Sequence, residues 1–410
     1  MKREVLIIGG GVSGVTTGIV LRLLGHPTRI VCHHWLGDSD DATQPHVGER
    51  RFASQYPAAS IIPHSVSIAD EAWHMRTTLR FFEALQFTST AGVRKQRHYE
   101  VYEWPEPIAG YAEGMVGYRS LPLDGSGEPG APRRAEDVPI YGWSFQSLFA
   151  EMPRYRAFLA GLYRNLGGEL ETGRVLDRLS LENMKSSIVV NCGGAWGMNL
   201  SGDRVRSRFV KGILVRADAG SIPWNRTTGE IFSYNYYPDV SIYSRPNGKP
   251  SDVYFYPRTD GWLLGGTRLE SAYLRSWQNC HNPHEWKGET WSGRSICVPL
   301  AGDANGAEIE VPEPVVTLNR EIIRRLTGCD LSNFRLTAME GYRHKRDIVR
   351  LEMEDWRGRR VIHNYGHGGA GVTLSWSCAV KIAELLSQTI QNGPKLHEIE
   401  LRLLEEIRRW

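Results

Sequence analysis

The sequence predicts an α/β protein with a Rossmann-like nucleotide-binding domain and a second, mostly antiparallel β-sheet domain that would hold a substrate. Three observations predict it. A short apolar run, Val5–Ile8, enters Gly9-x-Gly11-x-x-Gly14. A second apolar run, Thr28–Cys32, follows one helix later. Residues 210–275 alternate aromatic and aliphatic positions with turn residues before α/β character returns in the last third. The 410 residues suit two domains of roughly 100–200 residues each. Residues 1–75, 150–212 and 325–410 are assigned to the nucleotide domain, and 76–149 and 213–324 to the substrate domain.

The elements justify this division in order. Val5-Leu6-Ile7-Ile8 reads as a strand buried on both faces. Val15–Leu24 has helical character and is closed by Gly25, and Thr28–Cys32 is the next strand. The β-α-β unit takes about 30 residues, as a mononucleotide half-fold needs. Residues 104–140 are rich in Pro, Gly and charge, and predict a surface excursion. Pro153–Gly168 is a helix with Tyr155, Phe158, Leu159 and Leu162 on one face, and Ser187–Gly194 is a strand ending in glycines. Residues 276–310 are polar and Trp-containing, and read as an insertion. Arg360–Asn364 is a strand, followed by a Gly-rich turn and a helix from about Thr373 to Gln391.

Composition narrows the function classes. Hydrophobic residues make up 41% and charged residues 23%, and the formal net charge is +3. That charge is too small, and too evenly interspersed with acids, to argue for nucleic acid. The six cysteines (32, 192, 280, 297, 329 and 378) lie far apart, without a CxxC or Cys/His cluster, so neither a zinc site nor a disulfide framework is expected. The apolar run after Met1-Lys2-Arg3-Glu4 is too short for a secretory core or a membrane span, and Arg408-Arg409-Trp410 is no peroxisomal address. A cytoplasmic protein without membrane partners is expected.

The glycine motif sits between a strand and a helix. Gly9 permits the tight turn, Gly11 lets backbone approach a pyrophosphate, and Gly14 lets the helix pack on the strand. N–H groups of the helix N-terminus, around Val12 and Ser13, then face the phosphates. The end of the second strand ordinarily carries Asp or Glu for the adenosine ribose; here it carries His33, then His34. A neutral imidazole accepts one such bond. His33 is either that ribose contact or one of two exposed loop histidines.

Further segments resemble the D-amino-acid oxidase family. Arg51–Pro63 is similar to the segment that wraps the flavin there, with small residues such as Ala59 against the ring and a Ser54 hydroxyl for phosphate. Val189–Trp196, including Gly194, resembles the strand and glycine turn beside the flavin. Val361–Thr373 is close to the family's C-terminal signature. The resemblance implies FAD, with backbone donors of Gly366, Gly368, Gly369, Gly371 and Val372 and the Thr373 hydroxyl and N–H beside the pyrimidine edge. Negative charge accumulates there on reduction, so donors stabilise it. A nicotinamide enzyme would be expected to need only the first βαβ unit and its neighbours, whereas a glycine turn returning from the C-terminus fits a bound isoalloxazine.

The resemblance also assigns a substrate pocket. Gly341-Tyr342-Arg343 matches the motif whose arginine clamps the substrate carboxylate, a task suited to a planar, two-pronged cation. His344 stands where the family has proline. Tyr254-Phe255-Tyr256-Pro257 matches the strand with a substrate-contacting tyrosine, placed at Tyr254 by its spacing to Pro257 and Gly265-Gly266. The family's second tyrosine falls at Pro250, leaving Tyr243 or Tyr236 as replacements, or a different lid.

The implied reaction oxidises a Cα–H bond next to an amine. Hydride passes to flavin N5, the imine hydrolyses to a 2-oxo acid and ammonia, and oxygen yields hydrogen peroxide. Arg343 and Tyr254 would hold the carboxylate and the Gly369 carbonyl the amine, so catalysis is mainly orientation. The substrate is a D-amino acid or related amine. The alternatives are a tailoring oxidase or dehydrogenase for a larger amine, and a flavin-binding protein that has lost turnover. A homodimer is compatible with the sequence.

Overall fold

A computed structural model describes residues 3–37, 53–55, 59–62, 67–174, 176, 186–273, 286, 288–303, 305–356, 358–388 and 395–410. In chain order its strands are β1 Val5–Gly10, β2 Thr28–Trp35, β3 Ser60–Ile61, β4 Val93–Tyr102, β5 Arg119–Ser120, β6 Tyr141–Ala150, β7 Glu169–Glu171 and β8 Ile188–Asn191. They continue with β9 Ser207–Ala217, β10 Phe232–Tyr237, β11 Val253–Arg258, β12 Gly261–Gly265, β13 Leu269–Glu270, β14 Ser295–Pro299, β15 Glu308–Pro312, β16 Leu336–Trp356 and β17 Arg359–His367. The helices are α1 Val12–Leu23, α2 Glu71–Leu85, α3 Met152–Asn165, α4 Gly194–Ser201, α5 Glu313–Thr327, α6 Gly371–Ser387 and α7 Leu396–Ile407.

One half is the doubly wound unit that the N-terminus predicts. β1 lies between β2 and β8, all parallel, and β8 pairs in parallel with β17. The apolar run of β1 is explained by burial on both faces. Val5 and Ile7 enter the core beneath α1, α3 and α6, while Leu6 and Ile8 pack on the other side with Val189 and Val361. Helix α1 starts at Val12, three residues earlier than the sequence suggests, so Val12, Ser13 and Gly14 form its first turn. Helix α3 buries Tyr155 and Leu159 fully, with Phe158 and Leu162 packed beside them, as their spacing predicts.

The other half is antiparallel through β9, β12, β11 and β10, and again from β4 to β6, but β10 and β4 run parallel. Its core gathers Phe232, Tyr234, Phe255 and Trp262 against the apolar face of α5. The 104–140 segment is more integrated than a surface excursion, because Ala112, Met115, Leu121 and Ile140 are buried in this half. Within the supposed insertion at 276–310, β14 and β15 form a hairpin that seats Val298 and Val311 in the core. Residues 274–285 and 287 lie outside the described ones, as does Cys280.

The two halves share one hydrogen-bonded sheet. The long strand β16 joins them. Its first part, Leu336–Arg346, pairs with β9; its second, Arg350–Trp356, pairs with β17. The register shifts between Lys345 and Arg350. Arg343 therefore sits where the antiparallel half meets the nucleotide half.

Candidate active site at the junction of the two halves

Two cavities meet at this junction. The larger, about 710 Å³, is walled by Gly9–Ser13, by Gly193–Trp196 and by Tyr365–Gly368. The smaller, about 200 Å³, is walled by Arg343, Tyr254 and the Gly368–Thr373 turn. Val12, Ala53, Ser54, Tyr342, Gly368 and Gly371 line both, so the cavities open onto each other.

The larger cavity is shaped for an anionic, elongated ligand. Three helix N-terminal turns reach it: Val12 and Ser13 of α1, Gly194 to Trp196 of α4, and Gly371 of α6. The N-terminus of a helix carries unpaired N–H groups and the positive end of its dipole. Among the described lining residues there is no Asp or Glu to oppose a phosphate. Gly9 has φ +106, and a Cβ there would fall 2.5 Å from the Cys192 carbonyl oxygen. Gly14 does a different job: it does not line the cavity, and a Cβ there would lie 1.9 Å from the Gly9 carbonyl oxygen. Its place is helix-to-strand packing, not contact with the ligand. Ser54 Oγ accepts from the Val12 N–H at 3.0 Å, so the hydroxyl stands at the phosphate end, already bonded to α1.

His33 lines the far end of this cavity together with His34 and Arg174. The strand runs two residues past His33, to Trp35, so His33 is not its last residue. Its ring is exposed, and Nδ1 lies 2.6 Å from His34 Nε2. The flavin-wrapping segment is only partly described: Arg51, Phe52, Tyr56, Pro57, Ala58 and Pro63 lie outside the described residues. Ala59 is described, lines the smaller cavity and has φ +62, a conformation non-glycine residues rarely hold.

The smaller cavity brings Arg343, Tyr254, Gly369, Val372 and Thr373 together, as the motifs require. Among the described residues no carboxylate pairs with Arg343. Its guanidinium rests on Gly212 of the neighbouring strand, where a Cβ would lie 2.1 Å from Nη2. Tyr254 lies on Gly265 in the same manner. Burial lowers the Arg343 pKa from its ordinary value and raises that of Tyr254, so the tyrosine stays a neutral donor beside a cation. The second guanidinium in the wall, Arg268, is committed to Asp252 through two bonds of 2.9 and 2.6 Å.

Beside Tyr254 the pocket is lined by Tyr256 and Tyr342, and neither sequence candidate for a second tyrosine is among them. Tyr243 donates to the Gly266 carbonyl at 3.2 Å, and Tyr236 donates to Glu103 at 2.6 Å; neither lines the cavity. Tyr256 does, with Asn235 opposite, whose Oδ1 accepts from the Tyr256 hydroxyl at 2.9 Å. The Asn235 amide in turn donates to buried Glu100 at 3.0 Å. Strand parity was the available signal, since residues 254 and 256 share a face. Met339, Gly341 and Arg343 share one face of β16 for the same reason.

These walls fit FAD. The glycine cradle and helix N-termini suit its pyrophosphate, and the turn joining the cavities suits the ring. When bound, the flavin supplies a two-electron acceptor next to the small cavity. Arg343, Tyr254 and Gly369 line this small cavity together, and the described lining residues include no Asp or Glu to act as a base.

Comparison with known proteins agrees. The family model "FAD dependent oxidoreductase" matches residues 4–385. A D-amino-acid oxidase of Rubrobacter xylanophilus is 28% identical over 389 residues, covering 93% of this chain and 94% of the relative. One of Streptomyces coelicolor is 28% identical over 396 residues, covering 94% and 97%. The fold is similar to that of L-proline dehydrogenase from P. horikoshii, with TM-score 0.61 at 14% identity over 99% of this chain and 98% of that one. A glycine-cradled dinucleotide cavity opening onto an arginine-lined pocket, and a family match over nearly the whole length, place this chain in the family of FAD-dependent oxidoreductases that includes the D-amino-acid oxidases.

Proposed function

We propose that the protein is an FAD-dependent oxidase of a small D-amino acid or related amine, releasing a 2-oxo acid, ammonia and hydrogen peroxide. The observation that carries this reading is Arg343: a guanidinium with no carboxylate partner among the described residues, in a cavity of about 200 Å³ that opens onto the cofactor site. A partly buried cation without a counter-ion is costly, and a substrate carboxylate relieves that cost. Arg268 is already neutralised by Asp252, so the pocket has room for one anionic group. The neutral amine is the form that can lose hydride without a side-chain base, and the described lining residues include no Asp or Glu that would hold an ammonium. A cavity of about 200 Å³ has room for a small amino acid.

The test is a panel of D- and L-amino acids and small amines, scored for peroxide and ammonia, with anaerobic bleaching of the bound flavin as a second readout. Peroxide with one or more small D-amino acids is expected. Bleaching without peroxide would remove oxygen as acceptor, and no response to any member would sink the reading.

A further inference from the structure

We infer that His344 is a cofactor-binding residue of this chain, its imidazole hydrogen-bonding the flavin half of bound FAD. The inference rests on the cofactor of the family and not on the choice of substrate. Neighbouring residues of a strand point to opposite faces. Arg343 accordingly faces the small cavity, and His344 lines the large one. The histidine is only 9% exposed, and neither Nδ1 nor Nε2 has a hydrogen-bond partner. Among the described residues lining that cavity it alone has orphaned buried side-chain nitrogen or oxygen atoms.

Buried polar groups in folded proteins are nearly always satisfied, and one left bare at a ligand cavity points to the ligand. Nearby protein groups do not meet the need. The Phe209 ring is 5.8 Å away, centroid to centroid, and the Tyr365 ring 6.4 Å. The Tyr365 hydroxyl is engaged with Asp203 at 2.9 Å, Ser201 at 2.8 Å and Arg350 at 3.0 Å.

Position along the cavity selects the flavin half. The His344 carbonyl accepts from the Gly368 N–H at 2.9 Å, and Gly368 lines both cavities. The opposite end carries Cys32, His33 and Arg174. A neutral imidazole has one donor and one acceptor, which suits the carbonyls of the ring or the hydroxyls of the ribityl chain. Proline, the residue that the family pattern carries here, offers neither. This chain therefore holds its cofactor with a bond that the pattern lacks.

The test compares wild type with His344→Leu and His344→Asn, measuring FAD affinity of the apoprotein by flavin fluorescence and the thermal midpoint with and without FAD. The leucine variant should weaken FAD roughly three- to tenfold, the loss of one ordinary hydrogen bond. Its apoprotein should melt no lower than wild type, because an orphaned polar group has been removed. Asparagine, which keeps a donor and an acceptor, should recover part of the affinity. An apoprotein destabilised by leucine with FAD affinity within twofold of wild type would show a structural role and overturn the inference. So would unchanged affinity in both variants, the result expected if water alone meets the ring.

Discussion

Gly212→Ala is the sharpest probe of the substrate clamp, because it acts on Arg343 without touching its chemistry. The two glycines Gly212 and Gly341 face each other across β9 and β16, and the Arg343 guanidinium fills the space above Gly212. An alanine Cβ would stand 2.1 Å from Nη2 and 3.1 Å from Cζ. Non-bonded heavy atoms settle at about 3.5–4.0 Å, so the guanidinium must retreat by roughly 1.5 Å. The atoms in the way are the far end of a flexible side chain, so the fold absorbs the change. Stability should hold or rise by about 0.4–1 kcal/mol, since alanine restricts the unfolded chain. Catalysis should suffer. A hydrogen bond to a charged group contributes about 1.5–3 kcal/mol, or roughly ten- to 150-fold in kcat/KM. A misplacement of about 1 Å alone costs on the order of 10²-fold. Peroxide kinetics with the best substrate of the panel, run beside thermal melts and flavin spectra, measure both sides. A variant with wild-type kcat/KM would refute the geometry, and one that loses activity together with its melting temperature would refute the claim that Arg343 alone is moved.

Tyr254→Phe keeps the ring on Gly265 and removes only the hydroxyl, so KM should rise about three- to tenfold with bound flavin intact; an unchanged KM would take the hydroxyl out of the substrate contact. Gly14→Ala sets a methyl 1.9 Å from backbone that cannot yield, and the purified variant should lose both FAD and thermal stability; a stable, yellow Gly14→Ala protein would contradict the packing. Burial, the largest cause, depresses His74, His344 and His367 from 6.5 to about 4. Between those pH values the unfolded chain binds protons that the native protein does not, so stability is present above about 6.5 and lost as pH falls toward 4. Each histidine contributes at most about 1.4 kcal/mol per pH unit. Urea melts of the apoprotein at pH 7 and pH 5 check the sign, and equal midpoints would contradict it.

Much of this was legible in local sequence. The strand–glycine–helix unit at 5–14 and the turn ending at Thr373 are each written within a dozen residues, because neighbouring residues build them. Arg343 and Tyr254 were found through flanking motifs, and they do share a cavity. What stayed hidden depends on long-range pairing. The run Arg343-His344-Lys345-Arg346-Asp347 looks solvated, so nothing in it announces the middle of a 21-residue strand; its charges are absorbed by partners such as Asp203, 3.0 Å from Arg346. Tyr256 required knowing that Asn235 pairs with Tyr254 one strand away. Tyr236 and Tyr243 were plausible by spacing alone, but their hydroxyls are spent on Glu103 and on Gly266. His33 was judged by the expected end of β2, and the strand simply continues to Trp35.

The shared strand also constrains how this molecule can change. Because guanidinium and imidazole alternate along one β16 segment, a one-residue slip of its pairing with β9 would turn the segment over, aiming Arg343 at the dinucleotide cavity and His344 at the smaller one. A change of residue count inside 336–346 would therefore disturb both cavities at once, whereas a side-chain replacement there leaves the register as it is.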